Sequence, residues 1–189
     1  MKRSSLATIV LDTTVQPKAI AHPTDSRLLN WAREQLVEAA QGCGIRLRQS
    51  YARVGPAAEQ RAGRYAHARQ YRRMHKAIRQ LRTWLGRVIR DVERKAPGEM
   101  PQALADKLAI ARRLHAQRRD SKNKLYALHA PEVECIAKGK ARTPYEFGVK
   151  VSVAVTAKEG IVLGMRSMPG NPYDGHTVDC ALEQAQIPT

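Results

Sequence analysis

Seven apolar residues of one segment, Tyr71, Met74, Ile78, Leu81, Leu85, Val88 and Val92, recur at alternating spacings of three and four. A helix puts such positions on one face, and a helix with a continuous apolar face must bury it against a partner helix. The period then changes. Tyr145, Phe147, Val149, Val151, Val153 and Val155 alternate with Glu146, Gly148, Lys150, Ser152, Ala154 and Thr156. Alternation of this kind reads as a half-buried strand with its apolar residues on one side. A chain of 189 residues carrying both periods is a mixed α/β protein, α+β by content.

Local signals place the other elements. Ala7-Thr8-Ile9-Val10-Leu11 runs into Asp12, so residues 6–16 read as a buried strand with a carboxylate at its tip. His22-Pro23-Thr24-Asp25 opens a helix that Thr24 or Asp25 caps, with Leu29, Ala32, Leu36, Ala39 and Cys43 on one face and Gly42 and Gly44 at its end. Residues 45–63 are ambiguous, with Gly55-Pro56 and Gly63 as breakers. Pro97-Gly98 closes the long helix. A second helix, from about Gln102 to Asp120, carries Leu104, Leu108, Ala111 and Leu114, and the pair reads as an antiparallel helical hairpin. Ile161 to Met168 forms a second strand after the turn Ala157-Lys158-Glu159-Gly160, giving a β-hairpin. Pro169-Gly170-Asn171-Pro172 forces a loop, and a short helix follows from His176 to Gln186. The expected divisions are 1–23, the first strand; 24–143, a basic helical insertion; and 144–189, a hairpin and a helix. Three strands with an open edge make an unfinished sheet, so a fragment, or a chain completed by a partner, is expected.

Charge narrows the partner. The net charge is +16, an excess that calls for a polyanion. Its densest part runs through Arg46, Arg48, Arg53, Arg61, Arg64, Arg69, Arg72, Arg73, Lys76, Arg79, Arg82, Arg87, Arg90 and Arg94, fourteen bases opposed by Glu59, Asp91 and Glu93. Arginine dominates, which favours bidentate grip on phosphate. Tyr51, Tyr65 and Tyr71 are interleaved and suited to stacking or to bonding a sugar. The plain alternative is a solvated helix face, but three acids leave most of these bases without an intrachain partner. Nucleic acid is the expected partner, ahead of an anionic membrane or bulk RNA, and no motif for reading base sequence is visible. The basic N-terminus breaks into polar sequence at Asp12 without a cleavage site, and no run of about 18 apolar residues exists, so neither a signal peptide nor a membrane-spanning helix is expected. Cys43, Cys135 and Cys180 are widely spaced and odd in number, which fits buried thiols in a reducing cytoplasm; no zinc-type pair is present.

Single residues are read against ordinary roles. Asp12 is either a strand-end cap or a metal ligand, with Thr13 and Thr14 placed to orient its carboxylate. Asp174 reads first as a helix cap, and His176 as a plain loop histidine. Lys150, on the polar side of its strand, is an exposed lysine or a contact to DNA or a carboxylate.

Five blocks in order resemble one family: Val10-Leu11-Asp12-Thr13-Thr14-Val15-Gln16; Arg64-Tyr65-Ala66-His67-Ala68-Arg69-Gln70; Leu125 to Ile136; Tyr145-Glu146-Phe147-Gly148-Val149-Lys150-Val151; and Pro169-Gly170-Asn171-Pro172-Tyr173-Asp174-Gly175-His176. Together they resemble bacterial insertion-sequence transposases of the IS-five group, within the IS-four-like set of DDE transposases. The resemblance implies an incomplete ribonuclease-H-like sheet with a large helical insertion between its first and second strands. It implies three acids holding two divalent metals, normally Mg²⁺, for in-line attack on phosphodiesters. Asp12 matches the first acid. The blocks that carry the second Asp and the Glu are not in this sequence, nor is the helical region that precedes the first acid, and Asp174 belongs to a loop rather than to the triad. The implied chain is a DNA-binding, catalytically inactive part of a bacterial, nucleoid-associated transposase that binds transposon ends and target DNA, homo-oligomeric at full length. The alternative is a stand-alone basic nucleic-acid-binding regulator without catalysis.

Overall fold

The computed structural model describes residues 8–96, 98–139, 141 and 144–186. It divides into two units: one runs from Ala21 to His129, and the other is formed by the chain up to Ile20 and from Ala130 onward. The sheet unit resumes ahead of residue 144 because a strand the sequence pattern did not flag, Glu134–Ala137, joins the sheet.

The helical unit contains α1 (Asp25–Gly42), α2 (Val54–His67), α3 (Tyr71–Lys95) and α4 (Gln102–Ala116). Thr24 is extended, and its hydroxyl accepts from the Arg27 N–H at 3.3 Å, so it is the N-cap of α1. Asp25 sits in the first turn, where a carboxylate complements the helix dipole. The ambiguous segment contains α2. Its supposed breakers, Gly55 and Pro56, lie in the first turn, where a missing N–H costs no helical hydrogen bond. Gly55 is required by close packing: a Cβ there would lie 2.5 Å from Asn30 Oδ1 and 2.7 Å from Arg33 Nη2.

Arg33 is almost fully buried and each nitrogen of its guanidinium donates a hydrogen bond. It donates to Asn30 Oδ1 at 2.7 and 3.1 Å, to the Ser50 carbonyl at 2.8 Å and to Glu34 at 3.0 Å. Asn30 in turn donates to Glu34 at 3.0 Å and to Glu59 at 2.8 Å. A buried charge is tolerated only when satisfied in this way. The network joins α1 to α2 and to the segment between them.

The apolar core gathers Leu29, Leu36, Leu81, Leu85, Val88, Val92, Leu104, Leu108, Leu114 and Leu125. α1 packs on both α3 and α4, so the expected hairpin is part of a larger bundle. The α3 stripe is buried from Leu81 onward; Tyr71 at its start is 56% exposed and packs into nothing comparable. Helix α4 ends at Ala116, short of the expected Asp120, because Gln117 turns extended.

The other unit is a four-stranded antiparallel sheet among the described residues: β1 (Ile9–Pro17), β2 (Glu134–Ala137), β3 (Tyr145–Thr156) and β4 (Val162–Met168). β3 is central. β1 pairs along it from Gly148 to Thr156, while β2 and β4 pair with its two halves along the other edge. A 3₁₀ turn (Asp174–Thr177) leads into α5 (Val178–Gln186), which packs on β4 and β3. Burial along β3 does not follow its hydrophobic pattern, although Val151 on the valine side is buried. Ser152, Ala154 and Thr156 are buried, whereas Val149, Val153 and Val155 are half-buried and Tyr145 is 60% exposed. The small-residue face is the one that admits α5 closely: a Cβ on Gly164, which pairs with Ala154, would lie 3.2 Å from the Gln184 side chain.

Replacing Leu85, which is fully buried, with Ala is expected to lower stability by about 2–5 kcal/mol, whereas Tyr71→Ala changes it by less than about 1 kcal/mol. Urea unfolding followed by far-ultraviolet circular dichroism measures both.

Candidate nucleic-acid interface

Burial of the α3 apolar side dictates where its charges point. Arg72, Lys76, Arg79, Arg87, Arg90 and Arg94 follow one another at spacings of four, three, eight, three and four. At 3.6 residues per turn these positions fall within an arc of about 80°. Leu81, Leu85, Val88 and Val92 occupy the opposite side and are buried, and all six basic residues are exposed. Thr83 fills the intervening turn, its hydroxyl donating to the Arg79 carbonyl at 2.9 Å. Among the described residues, Arg72, Lys76, Arg79, Arg87 and Arg90 have no carboxylate partner. The stripe is about 33 Å long from Arg72 to Arg94 at 1.5 Å per residue.

The other predicted bases have different surroundings. Arg64 and Arg69 are exposed at the turn between α2 and α3, where Arg69 takes a left-handed conformation with φ of 55°. Arg73 bonds Gln70 at 3.0 Å and lies 6.0 Å from the centre of the Tyr65 ring. Arg82 departs from the expectation of a free base. Its Nη1 donates to the carbonyls of His115 at 2.7 Å and Gln117 at 2.6 Å, so it closes the C-terminal end of α4. Burial, followed by the nearby Arg118, lowers its pKa.

Asp91 is the buried acid of this region. It accepts from the Arg48 backbone N–H at 2.6 Å and from Lys95 at 3.1 Å, and it also pairs with Arg94. Chiefly the Arg48 backbone bond, with help from Lys95 and Arg94 and against its burial, holds its carboxyl at about 2. Oδ2 therefore anchors the 45–53 segment to α3 through the Arg48 N–H, while Oδ1 is taken by Arg94 of α3 itself. Tyr51, in a left-handed conformation with φ of 56°, stacks on Trp84 with ring centres 5.3 Å apart, and its hydroxyl accepts from Arg87 at 3.3 Å. This stack and the buried Arg33 escaped the sequence reading, since neither residue stands out from its neighbours in the chain.

The sheet unit carries the other candidates. Asp12 pairs with Val153 in the ladder and so projects to the valine side of the sheet; Thr13 pairs with Ser152 on the side that faces α5. Asp12 Oδ1 accepts from the Thr13 N–H at 2.8 Å, and the exposed residue lines a cleft of about 350 Å³ together with Thr13, Ser152, Asp174 and Thr177. Asp174 belongs to the α5 side. It accepts from Lys150 at 2.5 Å and from the Thr13 hydroxyl at 3.0 Å, and these two bonds, Lys150 first, lower its pKa. Lys150 also donates to the Pro172 carbonyl at 2.7 Å and is only 12% exposed, so it ties the loop to the strand and is not free for DNA. His176 is exposed and meets Tyr173 edge to face at 5.6 Å. Among the described residues no group of three or more His, Cys, Asp or Glu side chains is placed to hold a metal. Asp12 alone does not fit a two-metal site. None of the three cysteines is in a disulfide, with Cys43 exposed rather than buried and Cys135 and Cys180 only partly covered. No helix of the described residues is long and apolar enough to cross a membrane.

A stretch of 67 residues is 61% identical to a protein of Rhizobium meliloti described as uncharacterized protein ORF8 in the nfe locus. The match covers 35% of this chain and 32% of that protein, so the chain matches about a third of its relative's length. No protein-family model and no solved structure matches.

Because the Asp91 pKa is lowered on folding, its contribution is present above the ordinary carboxylate value and is lost as pH falls through about 2. Asp91→Asn is therefore expected to cost on the order of 2 kcal/mol near neutral pH. Denaturation curves of both proteins should converge as pH is lowered from about 4 toward 2.

Proposed function

We propose that this chain binds DNA through the basic stripe of α3, as part of a bacterial DDE-type transposase. The observation that carries the binding is the stripe: five of its six bases face solvent with no carboxylate partner among the described residues, on a helix whose other side is committed to the core. Such an array neutralises successive phosphates, releases counterions and binds with little regard to base sequence. Arg82 and Lys150 do not share in it, because their donors are occupied within the protein.

The transposase part of the reading is supported by the order of the motif blocks and by the antiparallel meander β1–β3–β4, which agrees with the first three strands of a ribonuclease-H-like sheet. Asp12 lies on β1, whose second edge is unpaired among the described residues. Strand cleavage with Mg²⁺ would need more ligands than Asp12 and the Asp174 of the same cleft, and among the described residues no group of three or more His, Cys, Asp or Glu is placed to hold a metal. The second reading is a nucleic-acid-binding regulator that occupies its sites without cutting, and the exposed α3 stripe would serve it equally.

Fluorescence anisotropy with a labelled 20-base-pair duplex tests the binding. Affinity is expected to fall about 10³-fold or more between 50 and 200 mM salt if six phosphates are contacted. Reversing Arg72, Lys76 and Arg79 together to Glu should reduce both affinity and salt slope, while Asp12→Ala leaves them unchanged. Equal binding by the triple variant would refute the α3 stripe. Incubating supercoiled DNA with the chain and Mg²⁺ or Mn²⁺ is expected to give no nicking; nicking that Asp12→Ala abolishes would show an active site after all.

A further inference from the structure

The C-terminal third of α3 and the segment before α2 enclose a cavity of about 470 Å³ lined by Arg48, Tyr51, Arg87, Arg90 and Arg94. We infer that this pocket is a seat for a backbone phosphodiester group of a nucleic-acid strand, gripped by Arg48, Arg87 and Arg90. The inference rests on the reading that α3 meets nucleic acid, and it assigns one end of the stripe a built site where the rest is an open row.

Three observations support a built site. The one acid in the lining does not neutralise these three guanidiniums, since Asp91 spends its oxygens on the Arg48 backbone, Arg94 and Lys95. Arg48, Arg87 and Arg90, at a cavity whose one carboxylate is already shared by Arg94 and Lys95, repel one another, and an anion between them removes that cost. The frame is also held from below. The Asp91 bond fixes the Arg48 backbone to α3, and the Tyr51–Trp84 stack fixes the neighbouring turn, with the Tyr51 hydroxyl accepting from Arg87. Positioned guanidiniums lose less freedom on binding and present their planar donor pairs to phosphate oxygens.

The surroundings select a strand over other phosphate carriers. The stripe continues from Arg90 back to Arg72, about 27 Å along the helix, far beyond the reach of a mononucleotide. At about 3.4 Å per nucleotide along one strand, that length matches roughly eight backbone phosphates. An anionic membrane is disfavoured because surface-lying helices insert an apolar face, and the apolar face of α3 is buried in the core.

The test uses the full chain and the double variant Arg48→Gln/Arg90→Gln, whose exposed side chains leave the Asp91 anchor intact. Its unfolding curve, expected to overlay that of the wild type, confirms the frame. The wild type should bind the 20-base-pair duplex, and the double variant should bind about a hundredfold more weakly, with a salt slope reduced by about two. If the Arg72/Lys76/Arg79 reversal weakens binding but the pocket variant binds like wild type, the seat is refuted while DNA binding stands. If the wild type binds no duplex, both fall together. Competition by adenosine monophosphate or inorganic phosphate at micromolar concentration would make the pocket a small-anion site, and pocket-dependent binding to phosphatidylserine vesicles a lipid site; either overturns the strand seat.

Discussion

Burial of one side of α3 governs the helical unit and everything that unit offers to a partner. Leu81, Leu85, Val88 and Val92 enter the core among α1, α4 and the chain after α4. Their apolar burial is a large favourable contribution in a unit whose core is mostly aliphatic. Because 3.6 residues make a turn, committing that side inward leaves Arg72, Lys76, Arg79, Arg87, Arg90 and Arg94 outward and aligned. Stability and charge display are therefore one constraint. A stripe of like charges weakens an isolated helix; tertiary packing absorbs that penalty, as it must for a helix whose stability comes from its buried face.

The sheet unit obeys a different rule. β3 is hydrogen-bonded along both edges, so its register fixes the side to which every paired residue points. That register assigns Asp12 to the valine side of the sheet, yet Asp12 and Asp174 line the same cleft. Thr13, one residue after Asp12, bonds Asp174 on the α5 side, while the Asp12 side chain emerges on the other. The motif loop that contains Asp174 acts as a clasp: Lys150 reaches the Pro172 carbonyl and the Asp174 carboxylate, and Glu134 accepts from the Gly170 N–H at 2.7 Å.

Periodicity made the long elements legible, because α3, β3, β4 and α1 each repeat one signal over many residues. It failed where the signal is short or borrowed from elsewhere. β2 spans only four residues and owes its existence to the exposed ladder groups of β3. Gly55-Pro56 reads as a break, yet Pro fits a first turn and Gly is what lets α2 approach Asn30 and Arg33. The valine row of β3 looked like the core side, but a helix that must approach closely prefers small side chains, and α5 lies over Ser152 and Ala154. For the interface, the density of arginines was plain in the chain. Which of them are free was not: Arg82 is consumed by the end of α4 and Lys150 by the loop after β4.

The sequence by itself determined the mixed α/β class of the fold, the placement of its long helix and strands, and the excess of positive charge, since these depend on local repeats and on composition. Tertiary structure decided which groups can act. Whether a guanidinium faces solvent or a carbonyl, whether a carboxylate has neighbours, and on which side of a sheet it emerges all depend on residues tens of positions apart in the chain. Asp91 illustrates the difference. Among fourteen bases it looked like a stray counter-charge, but folding brings the Arg48 N–H, Arg94 and Lys95 to it and turns it into the anchor of an arginine-lined cavity.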